Sequence, residues 1–287
     1  MYLGLEAKKE DSNSLSLKKK IGMRINHLRI AIIGTGNLGK AMALGLLDSG
    51  YSANKLTLTR RNTEKLAAFK EKGCVVTSNN KEAISNAELL IFAVKPYNIH
   101  EILGEVAAAI DAKKHRVVSV VTGVNMSNLT ALLPKDVPFF RAMPNTAADV
   151  NESITCICHT NAGTEEVDEV NTVFSTMGKT TFIQEELMDA ATVLGACGIA
   201  YVMRFIRAMV QGGIEIGFDA KTASSIVTQT VKGAADLLIE RGSHPESEID
   251  KVTTPKGCTI AGLNEMEHHG FSSSLIKGIR TSYKRID

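Results

Sequence analysis

The sequence predicts an α/β fold in two parts, a mainly parallel sheet domain built from βαβ units and an all-α domain after it. Three observations predict it. Short apolar runs alternate with helically spaced segments from Leu28 onward. A glycine-rich turn, Gly34-Thr35-Gly36-Asn37-Leu38-Gly39, follows the first run directly and opens a helical pattern. After Glu185 the strand-like runs stop, and Ala/Gly/Met-rich helical spacing takes over. A chain of 287 residues can supply a core for each part.

In order along the chain, residues 1–27 are polar, basic and aperiodic and read as a disordered tail, with Met23 as an alternative start just before the first strand. Strand-like runs follow at 29–33, 55–59, 74–77, 89–94, 117–121 and 139–143. Segments such as 40–47 and 99–110 have helical spacing between them, so this half reads as a right-handed βαβ series. Runs at 153–159 and 180–183 flank a helical 165–177. The domain change is expected near Gln184, giving a sheet domain over 28–184 and a helical domain over 185–287. Helices are expected there at 188–194, 200–216, 220–241 and 259–267, with a last one through Ile276 and Ile279.

Composition excludes several classes. The formal net charge is +2, and residues 1–27 alone carry six Lys/Arg against three acids, which leaves the remainder near −1 and gives no electrostatic argument for nucleic acid. The five cysteines, Cys74, Cys156, Cys158, Cys197 and Cys258, are odd in number and show no Cys-x-x-Cys spacing, so they read as reduced thiols. No run of about 18 predominantly apolar residues is apparent, nor a secretory signal, and a cytoplasmic protein without a membrane partner is expected. His268-His269 diverge around a helix and suit a solvated helix end, Cys156 and Cys158 share one strand face as core thiols, and no metal site is expected.

The glycine turn has the context of a dinucleotide fingerprint: Gly34 permits the tight turn, Gly36 lets backbone approach a pyrophosphate, and Gly39 permits close helix packing. The second run ends Thr59-Arg60-Arg61-Asn62 with no acid for ribose hydroxyls, and two guanidiniums there suit a 2′-phosphate. NADPH is therefore the expected cofactor, with NADH as the second candidate; a solvated arginine pair is the plain alternative. The fourth run halts at Ala93-Val94-Lys95-Pro96, and Pro144 and Asn145 stand just past another run, so both read as lining the carboxyl edge of the sheet, where α/β proteins bind ligands.

Together with these motifs, "RAMPNT", "DAATVLGACGIAY", "GAADLL" and "HPESEIDKVTTPKGCTIAGL" make the chain resemble the 1-pyrroline-5-carboxylate reductase family over essentially residues 28–286. The resemblance implies a two-domain reductase of proline biosynthesis that forms homodimers through its helical domain, often assembled further, with NAD(P)H on a Rossmann-type first domain and 1-pyrroline-5-carboxylate as substrate. It implies cofactor contacts at Gly36, Asn37, Leu38, the 59–61 turn, Asn80, Val94, Lys95 and Thr122, and a substrate loop over 254–259 containing Thr254, Lys256, Gly257, Cys258 and Thr259. The chain departs from the family pattern at Ala196, Cys197 and Ile199, at Lys256 and Cys258 in the loop, and at Ala147.

A loop leading into a helix offers successive backbone amides and a favourable dipole to a substrate carboxylate, and 254–259 is such a loop. The Thr259 hydroxyl can address the ring nitrogen of a cyclic imine, which makes Thr259 the expected catalytic residue; a plain N-cap is the alternative role. A protonated imine is already electrophilic, so orientation and exclusion of water suffice and no acid–base dyad is needed. A 3-hydroxyacid dehydrogenase would place a lysine on the helix entering the second domain, yet no Lys lies between Lys179 and Lys221. A non-catalytic NADP-binding sensor would keep the glycine turn without needing the loop.

Overall fold

The central strands of the first unit, such as Ile30–Ile33 and Leu89–Phe92, are short, fully buried apolar runs because both faces of the sheet are covered there. The computed structural model describes residues 22–286, and these separate into two compact units that divide between Ala196 and Cys197. In the first unit, β1 (Ile30–Ile33), β2 (Leu56–Thr59), β3 (Val75–Thr77), β4 (Leu89–Phe92), β5 (Arg116–Ser119), β6 (Phe139–Met143), β7 (Ser153–Thr160) and β8 (Gly178–Phe182) form one eight-stranded sheet in the order 3-2-1-4-5-6-7-8. Pairing is parallel throughout except between β6 and β7. The order reverses between β1 and β4, the topological switch point at which doubly wound sheets open a crevice beyond their carboxyl ends.

The two-residue period of a strand divides the core. Ile30, Ile32, Leu89, Ile91 and Phe140 pack on one face with Met42 and Leu46 of α1 (Asn37–Asp48), Phe69 of α2 (Ala67–Glu71), and Val173 and Phe174 of α6 (Thr164–Ser175). Ala31, Ile33, Leu90, Phe92 and Phe139 pack on the other with α3 (Asn80–Ser85), α4 (Ile99–Val106) and α5 (Met126–Thr130). Cys158 belongs to that second cluster and Cys156 packs against it, the core role expected of both. Burial, reinforced by the Glu185 carboxylate, pushes the Cys158 thiol up to about 11.

The expected tail over 1–27 needs correction within its described part; residues 1–21 lie outside the described residues. From residue 22 the chain is folded: Ile25 is 1% exposed in the core, the Ser52 amide donates to Asn26 at 2.9 Å, and His27 meets the buried Glu169 carboxylate at 3.0 Å. The polar composition hid one apolar anchor.

The two compact units meet at 196/197. Residues 185–196 belong with the sheet because Met188 and Val193 are buried there and Arg141, on β6, holds Glu185 at 2.9 Å. α7 (Met188–Ala191) runs through a π-helical turn, Thr192–Cys197, into α8 (Gly198–Glu215). Asn145 Nδ2 donates to the Gly195 carbonyl inside that turn at 3.0 Å.

The expected lack of a long apolar run is overturned by the same stretch. Glu185–Glu215 is 31 residues long and holds an 18-residue window with a mean hydropathy of 1.6, long and apolar enough by length and composition to cross a membrane. Its many Gly and Ala residues break up the large side chains without making it polar.

The second unit holds α8, α9 (Ala220–Arg241), α10 (Pro245–Val252), α11 (Cys258–His268) and α12 (Phe271–Tyr283). Its buried apolar set is small: Val210, Ala223 and Val227, with Ile206 and Val231 packed beside them. Tyr201 donates to Ser282 at 2.6 Å and ties α8 to α12. Large apolar side chains including Val202, Met203, Ile216, Phe218, Ile239 and Ile276 stay exposed. His268 and His269 end α11, where His269 meets Glu265 at 3.1 Å on the exposed surface.

Candidate active site

The glycine turn sits where β1 ends beside β4. The Ala93 amide donates to the Ile33 carbonyl at 2.8 Å, so the residues after both strands stay side by side. Gly34 has φ +86°, and a Cβ there would lie 2.3 Å from Val94 Cγ1; both the backbone angle and the space require glycine. Gly39 packs against Ile32, where a Cβ would meet Cγ2 at 3.3 Å. Gly36 differs from both: its φ of −84° is ordinary, and a Cβ would meet nothing nearer than the Gly34 carbonyl oxygen at 4.0 Å. Protein packing does not explain that glycine, whereas a ligand lying against the backbone does. Gly36 is the N-cap of α1, whose first turn contains Asn37, Leu38 and Gly39, carries no acid, and receives no side-chain cap. Its bare amides form an anion-binding end.

The end of β2 is sewn to this turn. The Gly34 amide donates to Thr59 Oγ1 at 3.1 Å, the Thr35 amide to the Thr59 carbonyl at 2.8 Å, and Arg60 Nη1 to the Thr35 carbonyl at 2.8 Å. Arg61 is exposed and makes no hydrogen bond or ion pair among the described residues. The remaining first-unit candidates lie along the same carboxyl edge. Asn80 opens α3 while Asn79 caps it, Lys95 and Pro96 are exposed after β4, and the Thr122 hydroxyl lies 3.9 Å from Met143 Sδ beyond β5. The edge therefore brings together candidates that span almost ninety residues of sequence. Asn145, just past β6, is partly engaged within the protein: its side-chain oxygen accepts from the Ala147 amide at 3.0 Å and one N–H of its Nδ2 donates to the Gly195 carbonyl at 3.0 Å, which leaves a second N–H unused by these bonds.

The 254–259 loop lies in the second unit between α10 and α11. Its N-cap is Gly257, with no side-chain cap and no acid in the first turn of α11. Thr259 stands inside that first turn and is exposed, so a plain capping role is not its place. Lys256 has φ +60°, a left-handed conformation costly for a lysine, at a position where the resembling family commonly carries glycine. Thr254, Lys256 and Cys258 are exposed along this loop, and the Gly257 amide closes it onto the Thr254 carbonyl at 2.9 Å.

Sequence reading passed over Arg141. It is buried on β6, pairs with Glu185, and leaves Nε and Nη2 without a hydrogen-bond partner among the described residues. Glu185 Oε1 also accepts the Met126 amide at 2.5 Å, so this carboxylate fixes the start of the junction helix to two elements at once. An arginine in the middle of the run "FFRAM" is the only signal the sequence offered.

The sequence pattern described as Pyrroline-5-carboxylate reductase dimerisation matches residues 185–287, and the pattern described as NADP oxidoreductase coenzyme F420-dependent matches residues 29–123. Pyrroline-5-carboxylate reductase 1 of Dictyostelium discoideum is 43% identical over 91% of this chain, which spans 49% of that relative's length. Pyrroline-5-carboxylate reductase 2 of the same organism is 43% identical over 91% of this chain and 92% of its own. The Plasmodium falciparum pyrroline carboxylate reductase solved with NADP bound shares the fold, with a TM-score of 0.82 at 23% identity, over 91% of this chain and 97% of that one. A mainly parallel sheet with a glycine turn at its switch point, a helical second unit with a glycine-capped loop, and a full-length relative at this identity together place the chain in the pyrroline-5-carboxylate reductase family.

Proposed function

We propose that this chain reduces 1-pyrroline-5-carboxylate to L-proline, with NADPH as the preferred donor. Family membership makes it an NAD(P)H-dependent oxidoreductase acting on a CH–NH bond. The observation that carries the finer reading is a pair of bare helix starts: α1 and α11 both have glycine at the N-cap, no side-chain cap and no acid in the first turn. Each suits an anion, one the pyrophosphate of a dinucleotide and the other the carboxylate of a small substrate.

The fit to a dinucleotide rests on Gly36, whose open Cβ direction leaves room that the protein itself does not use. Residues that would hold it are Gly34, Gly36, Asn37, Leu38 and Gly39 at the phosphates, Thr59, Arg60 and Arg61 toward the ribose, and Asn80, Ala93, Val94, Lys95, Pro96 and Thr122 along the edge. When bound, the nicotinamide supplies the hydride that becomes the new C–H bond of the product. The chain's own residues bind and orient. The first-turn amides of Cys258 and Thr259 receive the substrate carboxylate, with Thr254, Lys256 and Gly257 completing the loop, the Gly257 amide closing it onto the Thr254 carbonyl. The Thr259 hydroxyl accepts from the N–H of the protonated imine and keeps that proton on nitrogen, so the product leaves as a secondary amine.

The chain acts as a soluble cytoplasmic homodimer, a unit that can build higher oligomers of dimers, and the apolar surface of Glu185–Glu215 is covered by a second copy rather than by lipid. Steady-state oxidation of NADPH with 1-pyrroline-5-carboxylate and with other cyclic imines, run beside reduction of NADP+ by 3-hydroxyacids, tests the reading. Turnover confined to the cyclic imino acid is expected. Turnover of 3-hydroxyacids alone, or cofactor binding with no turnover of any of these, overturns it.

A further inference from the structure

We propose that Arg60 is a positioning residue that braces the glycine turn for either nicotinamide cofactor, and that Arg61 alone distinguishes NADPH from NADH. This rests on the dinucleotide reading above and divides between the two arginines a task that the sequence assigned to both.

The division follows from where the two guanidiniums are. Arg60 is half-buried, its backbone amide donates to the Thr77 carbonyl at 3.3 Å, and its Nη1 donates to the Thr35 carbonyl at 2.8 Å. No carboxylate pairs with it among the described residues, so that carbonyl is the one acceptor its guanidinium has found there. The bonded carbonyl belongs to the peptide joining Thr35 to Gly36, and the N–H of the same peptide donates to the Gly34 carbonyl at 2.7 Å. Both ends of one peptide plane are therefore pinned. That plane immediately precedes the N-cap of α1, so its orientation sets the direction of the first-turn amides of Asn37 and Leu38.

Gly36 at one end of this peptide gives it a freedom that no side chain limits on that side, and hydrogen bonds at both its C=O and its N–H restrain it. A guanidinium–carbonyl bond is charge-assisted and stronger than a neutral one, so it suits that restraint. The consequence is independent of the 2′-phosphate, because the amides being aimed face the pyrophosphate common to both cofactors. Arg61 is one residue further on, exposed and without a partner among the described residues, so its donors remain available to a dianion beyond the turn.

The test measures direct binding of NADPH and NADH to the full-length protein, and amide exchange across residues 36–38 without cofactor. Binding is read in about 0.5 M salt, where the Debye length is roughly 4 Å and loss of a distant charge matters little. Arg60→Met should weaken both cofactors by the same factor, about tenfold for one charge-assisted contact in a partly open site, and should speed exchange in the free protein. Arg60→Lys, which can still donate to the carbonyl, should recover part of both effects. Arg61→Met should weaken NADPH about tenfold, leave NADH unchanged and leave exchange unchanged. The proposal is overturned if Arg60→Met spares NADH while weakening NADPH, or if it leaves exchange unaltered. Failure of the unmodified protein to bind either cofactor would instead sink the dinucleotide reading itself.

Discussion

Gly36→Ala isolates the ligand requirement of the glycine turn from its folding requirement. In the free protein the substitution is nearly costless: φ is −84° in an extended conformation, and the new methyl would lie 4.0 Å from its nearest neighbour, the Gly34 carbonyl oxygen. Restricting the unfolded chain should even stabilise the variant by about 0.4–1 kcal/mol. With a dinucleotide bound, the methyl occupies the space between the backbone and the pyrophosphate. Pushing the phosphate off one first-turn amide of α1 forfeits a charge-assisted contact of about 1.5–3 kcal/mol, which is roughly a ten- to hundredfold weaker Kd.

Gly34→Ala, two residues earlier, should behave oppositely. Its φ of +86° and a Cβ position 2.3 Å from Val94 Cγ1 combine a left-handed penalty with overpacking, together about 2–5 kcal/mol of lost stability. NADPH fluorescence titration beside calorimetric unfolding reads both quantities. Gly36→Ala should keep or raise Tm while losing NADPH affinity, whereas Gly34→Ala should lower Tm. A Gly36→Ala protein that binds NADPH like its parent would refute the assignment of this turn to the pyrophosphate.

Thr259→Ala should lower kcat/KM for 1-pyrroline-5-carboxylate by about ten- to a hundredfold, the worth of one hydrogen bond to the reacting ring, while the Kd for NADPH stays constant; unchanged kinetics would remove Thr259 from the chemistry. Light scattering at micromolar concentration should show at least a dimer, because Val202, Met203, Ile216 and Phe218 stay exposed on the second unit taken alone, and a stable monomer would contradict this. His115 is buried with Nδ1 accepting the Asp111 amide at 2.8 Å and Nε2 3.2 Å from the Ile84 carbonyl, an arrangement that needs the neutral ring. Burial, with Lys114 nearby, lowers its pKa below the ordinary 6.5, so its contribution to stability is whole above pH 6.5 and is lost as pH falls through the folded value. Tm should therefore fall more steeply on acidification from pH 7 than in His115→Gln, and parallel curves would exclude the ring as the cause.

Sequence alone determined the local parts of this protein. The strand runs are legible because a parallel sheet covered on both faces demands continuous apolar residues, and β6 was expected at the same residues it occupies, 139–143. The glycine turn is legible because backbone conformation and close approach admit so few residue types, and its placement between β1 and α1 follows from adjacency in the chain. Even α10, which the reading missed, carried its own local signal in Pro245 at the first position, Glu246 and Glu248 in the first turn and Lys251 in the last.

What only tertiary structure decided are the contacts whose partners lie far apart in sequence. A run of apolar residues looks the same in any strand order, so neither the order 3-2-1-4-5-6-7-8 nor the antiparallel entry of β7 could be read. Asn145 read as lining the sheet edge, and only the packed chain shows that one of its N–H groups braces Gly195, fifty residues away. Arg141 ties Glu185 to the sheet, and Ile25 draws the chain before Leu28 into the core. Arg60 and Arg61 are equivalent as letters, and only the position of the Thr35 carbonyl separates a guanidinium engaged by the fold from one left to solvent. A polar side chain's role is set by which donor or acceptor reaches it first, and that is a property of the packed chain rather than of its neighbours in sequence.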